Sequence, residues 1–295
     1  MFSRLIATPV RRIAALVAAA ALPLAAPSPA LAWGEVGHHT VANIALANVS
    51  PATAAAIAEL LKAEKGLGTP KCPVTTIAQA GYWPDCLRSD SWRWAYTFPW
   101  HYQDGEVTLP AFDIKANCPQ TACVTAQIER SRRVLADKSI PAPQRLEALA
   151  FLTHFVGDLH QPLHAAEHAH DAGGNGVKVV RADGKIDSLH WYWDKDTAEG
   201  ALALMGPPLV RAYSADDRAA LATGGVEDWA KESWAIARDV VYPQVFGHAP
   251  AEGEKLSAPV SITAEQNAAN ARIARDRLTR AGLRLARLLD EALGQ

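Results

Sequence analysis

An all-α domain is the fold this sequence predicts, and three observations point to it. Apolar residues recur at helical spacing in one stretch after another beyond residue 33. Ser50-Pro51 places a favoured N-cap residue before a proline at a first helical position. Strand-like patterning is confined to residues 177–181 and 185–186, where Asp183-Gly184 turns it into one small β-hairpin.

The first element is a leader. Arg4, Arg11 and Arg12 make a positive start, an Ala/Leu/Val-rich stretch runs from Ile13, and Ala30-Leu31-Ala32 is an A-x-A cleavage signal. Pro23, Pro27 and Pro29 interrupt the apolar stretch, which is too short to span a bilayer. The chain therefore divides into an export signal, residues 1–32, and a single domain, 33–295, expected in the periplasm or outside the cell as an unanchored monomer. The leader carries three arginines and no acid, so its removal takes the formal charge from −2 to −5. That balance is a poor footprint for a nucleic-acid-binding module, although bound cations reverse the local charge of any site.

Helices follow at 37–49, from Pro51 to about 64, and near 122–136, 143–159, 196–204, 214–223 and 226–245. The last, from Thr263 to about Leu293, is long and two-faced. Between them run long loops, around 66–120 and 165–195, of the kind that carries function on a rigid frame. Four cysteines in an exported chain favour disulfides over zinc ligation. Three pairings are open, and the most local, Cys72–Cys86 with Cys118–Cys123, is the expected one.

Residues 154–164, His-Phe-Val-Gly-Asp-Leu-His-Gln-Pro-Leu-His, concentrate the chemistry. His154 and Asp158 lie four apart and project from one helix face. Pro162 ends that helix, and His164 then turns toward a different partner. Phe151, Leu152, Phe155, Val156 and Leu159 mark the helix as buried, where polar groups need partners or a metal. Further His and Asp residues stand in Trp33-Gly-Glu-Val-Gly-His38, Trp83-Pro-Asp85-Cys-Leu-Arg88, His101-Tyr102-Gln-Asp104 and His190-Trp-Tyr-Trp-Asp194. A His/Asp set without thiolates suits zinc.

Read together, and with Gly173-Gly174-Asn175, these segments resemble the S1/P1 nuclease family, zinc-dependent secreted nucleases sharing an all-helical fold with bacterial zinc phospholipases C. The ordered set spans the whole mature chain. The resemblance implies a three-zinc cluster. Asp85, His101 and His154 hold one ion, which Asp158 bridges to a second. The second also takes His38 and the α-amine and carbonyl of Trp33, and the third takes His164, His190 and Asp194. An α-amine exists at Trp33 only after the leader is cut, so export completes the set.

The resemblance also implies the reaction. A zinc-bridging hydroxide attacks phosphorus and Arg88 neutralises charge in the transition state. The products are 5′-phosphomononucleotides from single-stranded DNA and RNA, with 3′-nucleotides as further substrates. Tyr102 and Asp104 match the family's base pocket, and Asn175 faces the site. His39, His160, His168, His170 and His248 have no ligand role in that pattern; His160 points about 240° away from His154, and His168 and His170 are expected in a solvated loop. Trp92, Trp94 and Trp100 are expected in the core. Two other readings compete: a zinc phospholipase C, which needs a lipid-binding mouth, and a non-catalytic zinc-binding protein, which needs neither Arg88 nor an N-terminal chelate.

Overall fold

Local capping starts the helices where the sequence places them. Ser50 accepts a hydrogen bond from the Thr53 amide, and Pro51 opens the helix Pro51–Leu61. Thr263 and Gln266 form a reciprocal capping box that begins the helix Ala264–Leu293. The computed structural model describes residues 33–294, so the expected leader lies outside the described residues.

At the centre runs the helix Ala142–His160, in which every residue from Ala148 to His160 is buried. The helices Gly34–Leu46, Ile77–Cys86, Val124–Ala136 and Ala264–Leu293 all pack on it. A helix enclosed on all sides must be apolar all round or satisfy its polar groups internally, and this one mixes phenylalanines with His154, Asp158 and His160. The first and last helices approach closely enough that a Cβ at Gly282 would sit 2.4 Å from Ile44.

The structure departs from the sequence reading in several places, among them the helical run from Leu189 that carries His190 and Asp194 where a loop is expected. Trp83, Pro84 and Asp85 stand in the last turn of the helix Ile77–Cys86, not in a loop. Thr76 caps that helix by accepting from the Gln79 amide, and its Ile77, Ala80, Gly81 and Trp83 face is buried. A proline in a final turn and a helix of ten residues hid it from the periodicity. The stretch 226–245 is helical throughout, but a π-helical turn at Ala237–Val241 lies ahead of Pro243, whose missing N–H disfavours an unbroken α-helix.

The hairpin is present, with Lys178–Val180 antiparallel to Ile186–Ser188, and it recruits Val260–Ser261 as a parallel third strand. A separate pair, Gly105–Glu106 with Ala166–Glu167, joins the two long loops beside the His101 and His164 segments. Strands of two residues leave no alternation to read. Both expected disulfides form, Cys72–Cys86 and Cys118–Cys123.

Candidate metal centre

The central helix brings His154 Nε2 to 3.2 Å from Asp158 Oδ2 in a fully buried setting. Three elements deliver more side chains to this pair. The first helix supplies His38, whose ring stacks on His154 at 3.9 Å and whose Nε2 lies 3.3 Å from Asp158 Oδ1. The end of the helix Ile77–Cys86 supplies Asp85, with Oδ1 3.8 Å from both His101 Nδ1 and His154 Nε2. The 3₁₀ turn Ala95–His101 ends on His101, whose Nδ1 lies 2.9 Å from His154 Nε2 and 3.1 Å from Asp158 Oδ2. Beyond Gln161 the chain turns at Pro162–His164, and His164 swings to a second focus. There its Nε2 meets His190 Nε2 at 3.0 Å, and Asp194 Oδ2 lies 3.3 Å from His190 Nε2.

Backbone carbonyls fix the imidazoles. The Nδ1–H of His154 donates to Gly81 at 2.7 Å, that of His164 to the His101 carbonyl at 2.7 Å, and that of His190 to Gly173 at 2.6 Å. A carbonyl only accepts, so each ring keeps its hydrogen on Nδ1 and turns an Nε2 lone pair inward, as second-shell partners do at metal sites. The consequence at His164 and His190 is two lone pairs opposed at 3.0 Å. That arrangement is repulsive unless a cation lies between them.

Orphaned polar atoms tell the same story. His38 Nδ1 and Nε2, Asp85 Oδ2, His101 Nε2, Asp158 Oδ1 and Asp194 Oδ2 are buried without hydrogen-bond partners. Each such group costs about 1–3 kcal/mol, more when charged. Three groups among the described residues have ligand atoms close enough to share an ion: His38, His154 and Asp158; Asp85, His101 and His154; His164, His190 and Asp194. All four cysteines are in disulfides, so nitrogen and oxygen ligands suited to zinc are what the cluster offers.

Burial, reinforced by His164, drives the His190 imidazole down to about 3. Burial likewise takes His101 down to about 4, against the pull of Asp158. His38 and His164 are lowered by the same desolvation. These rings are neutral, the form that binds metal. Two glycines make room: a Cβ at Gly157 would stand 2.9 Å from His38 Nδ1, and Gly173 adopts φ +61° where a Cβ would strike the Leu163 carbonyl at 2.4 Å.

All eight expected His and Asp ligands therefore converge. Trp33 is at the rim of the same cluster, its backbone nitrogen 3.2 Å from Asp194 Oδ1 and its indole N–H donating to the Gly157 carbonyl at 2.8 Å. Arg88 Nε pairs with Asp85 Oδ1 at 3.1 Å, and its guanidinium lies 5.1 Å from the centre of the Phe98 ring. Tyr102 is part-exposed, and the Asp104 carboxyl is held well above the usual range by burial and then by Glu167 and Asp171. The Asn175 amide is engaged locally, donating to the Ala172 carbonyl at 2.8 Å and accepting from Ser188 Oγ at 3.4 Å.

One participant escaped the sequence reading. Gln161 is fully buried; its Oε1 accepts from the Leu163 amide at 2.5 Å, so its Nε2 donates to Asp194 Oδ1 at 2.7 Å. Nothing about a glutamine between His160 and Pro162 announces that role. Of the other histidines, His160 does face away, donating through Nδ1 to the Val156 carbonyl beside Arg284 and Arg277. His170 is exposed, but His168 is buried against Tyr242 and Phe246, with Nδ1 3.2 Å from Glu106 and Nε2 2.8 Å from the Glu254 carbonyl. The tryptophans split as well: Trp94 is core, Trp100 is half-buried, and Trp92 is 87% exposed.

The S1/P1 nuclease family model matches residues 33–294. Endonuclease 4 of Arabidopsis thaliana is 35% identical over 183 residues, which cover 59% of this chain and 58% of that protein. Nuclease S1 of Aspergillus oryzae is 29% identical over 231 residues, 75% of each chain. Nuclease P1 of Penicillium citrinum is 32% identical over 166 residues, 55% of this chain and 57% of that one. The plant and Penicillium matches thus span under two thirds of those proteins.

Proposed function

The chain belongs to the S1/P1 nuclease family, and we propose that it is an exported phosphodiesterase that holds three zinc ions and cleaves single-stranded DNA and RNA to 5′-phosphomononucleotides, with 3′-nucleotides as additional substrates. The observation that carries the reading is the opposed, carbonyl-fixed imidazoles and orphaned carboxylates gathered beside one arginine. Asp85, His101 and His154 would hold one ion, His38 and Trp33 a second, with Asp158 serving both, and His164, His190 and Asp194 the third. When bound, zinc supplies Lewis-acid polarisation of phosphoryl oxygens and lowers the pKa of water.

The protein's own groups do the rest. Arg88, steadied by Asp85 and the Phe98 ring, offers a guanidinium to the phosphoryl oxygens as charge builds on them. Overall the P–O3′ bond breaks, water supplies the new oxygen on phosphorus, and the 3′-oxygen leaves with a proton. Tyr102 stacks a base. Asp104, its carboxyl held above the usual range by burial and by Glu167 and Asp171, accepts from the exocyclic amines of a base edge. A duplex hides base faces, which favours single strands. Cleavage before Trp33 converts its amide into an amine with a lone pair available near neutral pH.

The test is release of 5′-mononucleotides from single-stranded RNA by protein beginning at Trp33, with and without a zinc chelator. Chelator-sensitive release is the expected result. No release from protein verified to carry three zinc ions overturns the reading and makes phosphatidylcholine the next substrate to try.

A further inference from the structure

The segment from Arg88 to Tyr102 is an arch with both feet in the metal centre. Arg88 pairs with Asp85 at one end, and His101 enters the cluster at the other. Its inner side is pinned: Trp94 sets its edge against Trp83 at 5.2 Å, Thr97 is fully buried, and Trp100 meets Phe151 at 5.4 Å. Its other side carries exposed rings. Trp92 is 87% exposed and Tyr96 58%, while Phe98 lies half-buried under Arg88 and Tyr102 closes the series at the base pocket. Among the described residues Trp92 has no ring partner, whereas Tyr96 is held over Trp94 at 6.1 Å and against Trp100 at 5.3 Å.

Chain length keeps these rings close to the chemistry. Trp92 is four residues from Arg88 and Tyr96 five from His101, so neither backbone position lies more than about 14–18 Å from its anchor. Cations belong to the same segment: Arg88 lies beside Phe98, and on the inner rings Arg93 lies 4.9 Å from Trp94 while donating to the Gly68 and Leu67 carbonyls, and Arg130 lies 5.6 Å from Trp100, with Asp90 and Glu147 as nearby acids. Exposed rings on a segment that carries arginines and has both ends at a phosphodiester site are the chemistry of a single-strand track. The arch contains no Leu, Ile, Val or Met, the aliphatic content that a lipid-docking face uses.

We propose that the outer side of this arch, with Trp92 and Tyr96 as its stacking faces, binds nucleobases of the strand flanking the scissile phosphate, as a subsite separate from the pocket at Tyr102 and Asp104. The proposal rests on the nuclease reading for its substrate class. It makes affinity grow with strand length, because a dinucleotide seated at the metal centre and the Tyr102 pocket has no further base to place on Trp92.

The experiment compares KM for a dinucleotide and for a twelve-residue single-stranded oligonucleotide in the zinc-loaded chain and in Trp92→Ala, Tyr96→Ala and Trp92→Phe. Trp92→Ala is expected to raise KM for the twelve-mer by about fivefold or more, the loss of one base stack, and to leave the dinucleotide KM within about twofold. Tyr96→Ala shifts the same way, and Trp92→Phe restores most of the loss. Equal effects on both substrates, or none, overturn the proposal. So does loss of binding to phosphatidylcholine vesicles or of self-association in Trp92→Ala with an unchanged twelve-mer KM, since the face then serves a lipid surface or a second copy. If the parent chain hydrolyses neither substrate, the nuclease reading fails by itself. The arch is then judged by anisotropy of a labelled, cleavage-resistant phosphorothioate twelve-mer, whose binding must weaken in Trp92→Ala for the proposal to stand.

Discussion

His154 with Asp158, and His190 with Asp194, repeat one spacing on helical backbone and end in opposite electrostatic states. Burial works against the charged form of both carboxylates. Around Asp158 it is outweighed by the neighbouring His154, His164 and His101 rings, so the carboxyl is held well below its ordinary range. Asp194 has Gln161 and the Trp33 amide as its hydrogen-bond donors, with Asp85 and Asp158 adding repulsion, and burial pushes it well above. The same two residue types at the same separation thus make a carboxylate ringed by four histidines and a carboxylate held by two hydrogen-bond donors, each keeping one orphaned oxygen for a cation. Spacing aligns ligands; the surroundings decide what state they are in.

The largest effects come from exchanging the two carboxylates. Asp158 faces His38, His101, His154 and His164, so Asp158→Asn is expected to release more zinc per chain than Asp194→Asn and to cut turnover by more than about a hundredfold, beyond the 10–100-fold range of outer-shell losses. Elemental analysis of the purified variants checks this, and equal zinc losses would break the comparison. A smaller effect sharpens it. Gln161→Leu removes the donor to Asp194 and nothing at Asp158, so zinc titration against a competing chelator should show one ion bound about 10–100-fold more weakly and the others unchanged.

The smallest effect isolates a carboxylate matched by protein alone. Burial raises the Glu232 carboxyl, but Arg284 and Arg277 overcome it and hold the group down at about 2. Its folded pKa lies below the unfolded value near 4.5, so its stabilisation is complete above pH 4.5 and disappears as the pH falls toward 2. Glu232 is 38% exposed, which with solvent screening keeps the contribution below about 1 kcal/mol. The melting temperatures of Glu232→Gln and the parent chain should differ at pH 6 and converge on acidification, with or without chelator. A gap that persists toward pH 2 would contradict that account.

Much of this was legible because buried chemistry constrains residue type. His and Asp on a helix of Phe, Leu and Val have few satisfactory explanations, and the Ser50-Pro51 and Thr263 caps mark where their helices begin. What remained hidden lay in tertiary context. The helix carrying Asp85 is short and ends over a proline, so its period is weak. The alignment of Gln161 with Asp194 depends on a turn meeting a distant helix, across 33 residues of chain. Trp92, Trp94 and Trp100 are one residue type in one segment, and only the fold of the arch sends the first outward and the second into the core.

The Cys72–Cys86 bond closes 14 residues and ends on the neighbour of Asp85. A crosslink around a loop of that size restricts the unfolded chain by about 3 kcal/mol, and here it also tethers the terminus that presents a carboxylate to the cluster. The same bond therefore links the redox state of the chain to the placement of a carboxylate in the cluster. Protein made in a reducing cytosol carries the right sequence with that tether open, and an oxidising compartment closes it.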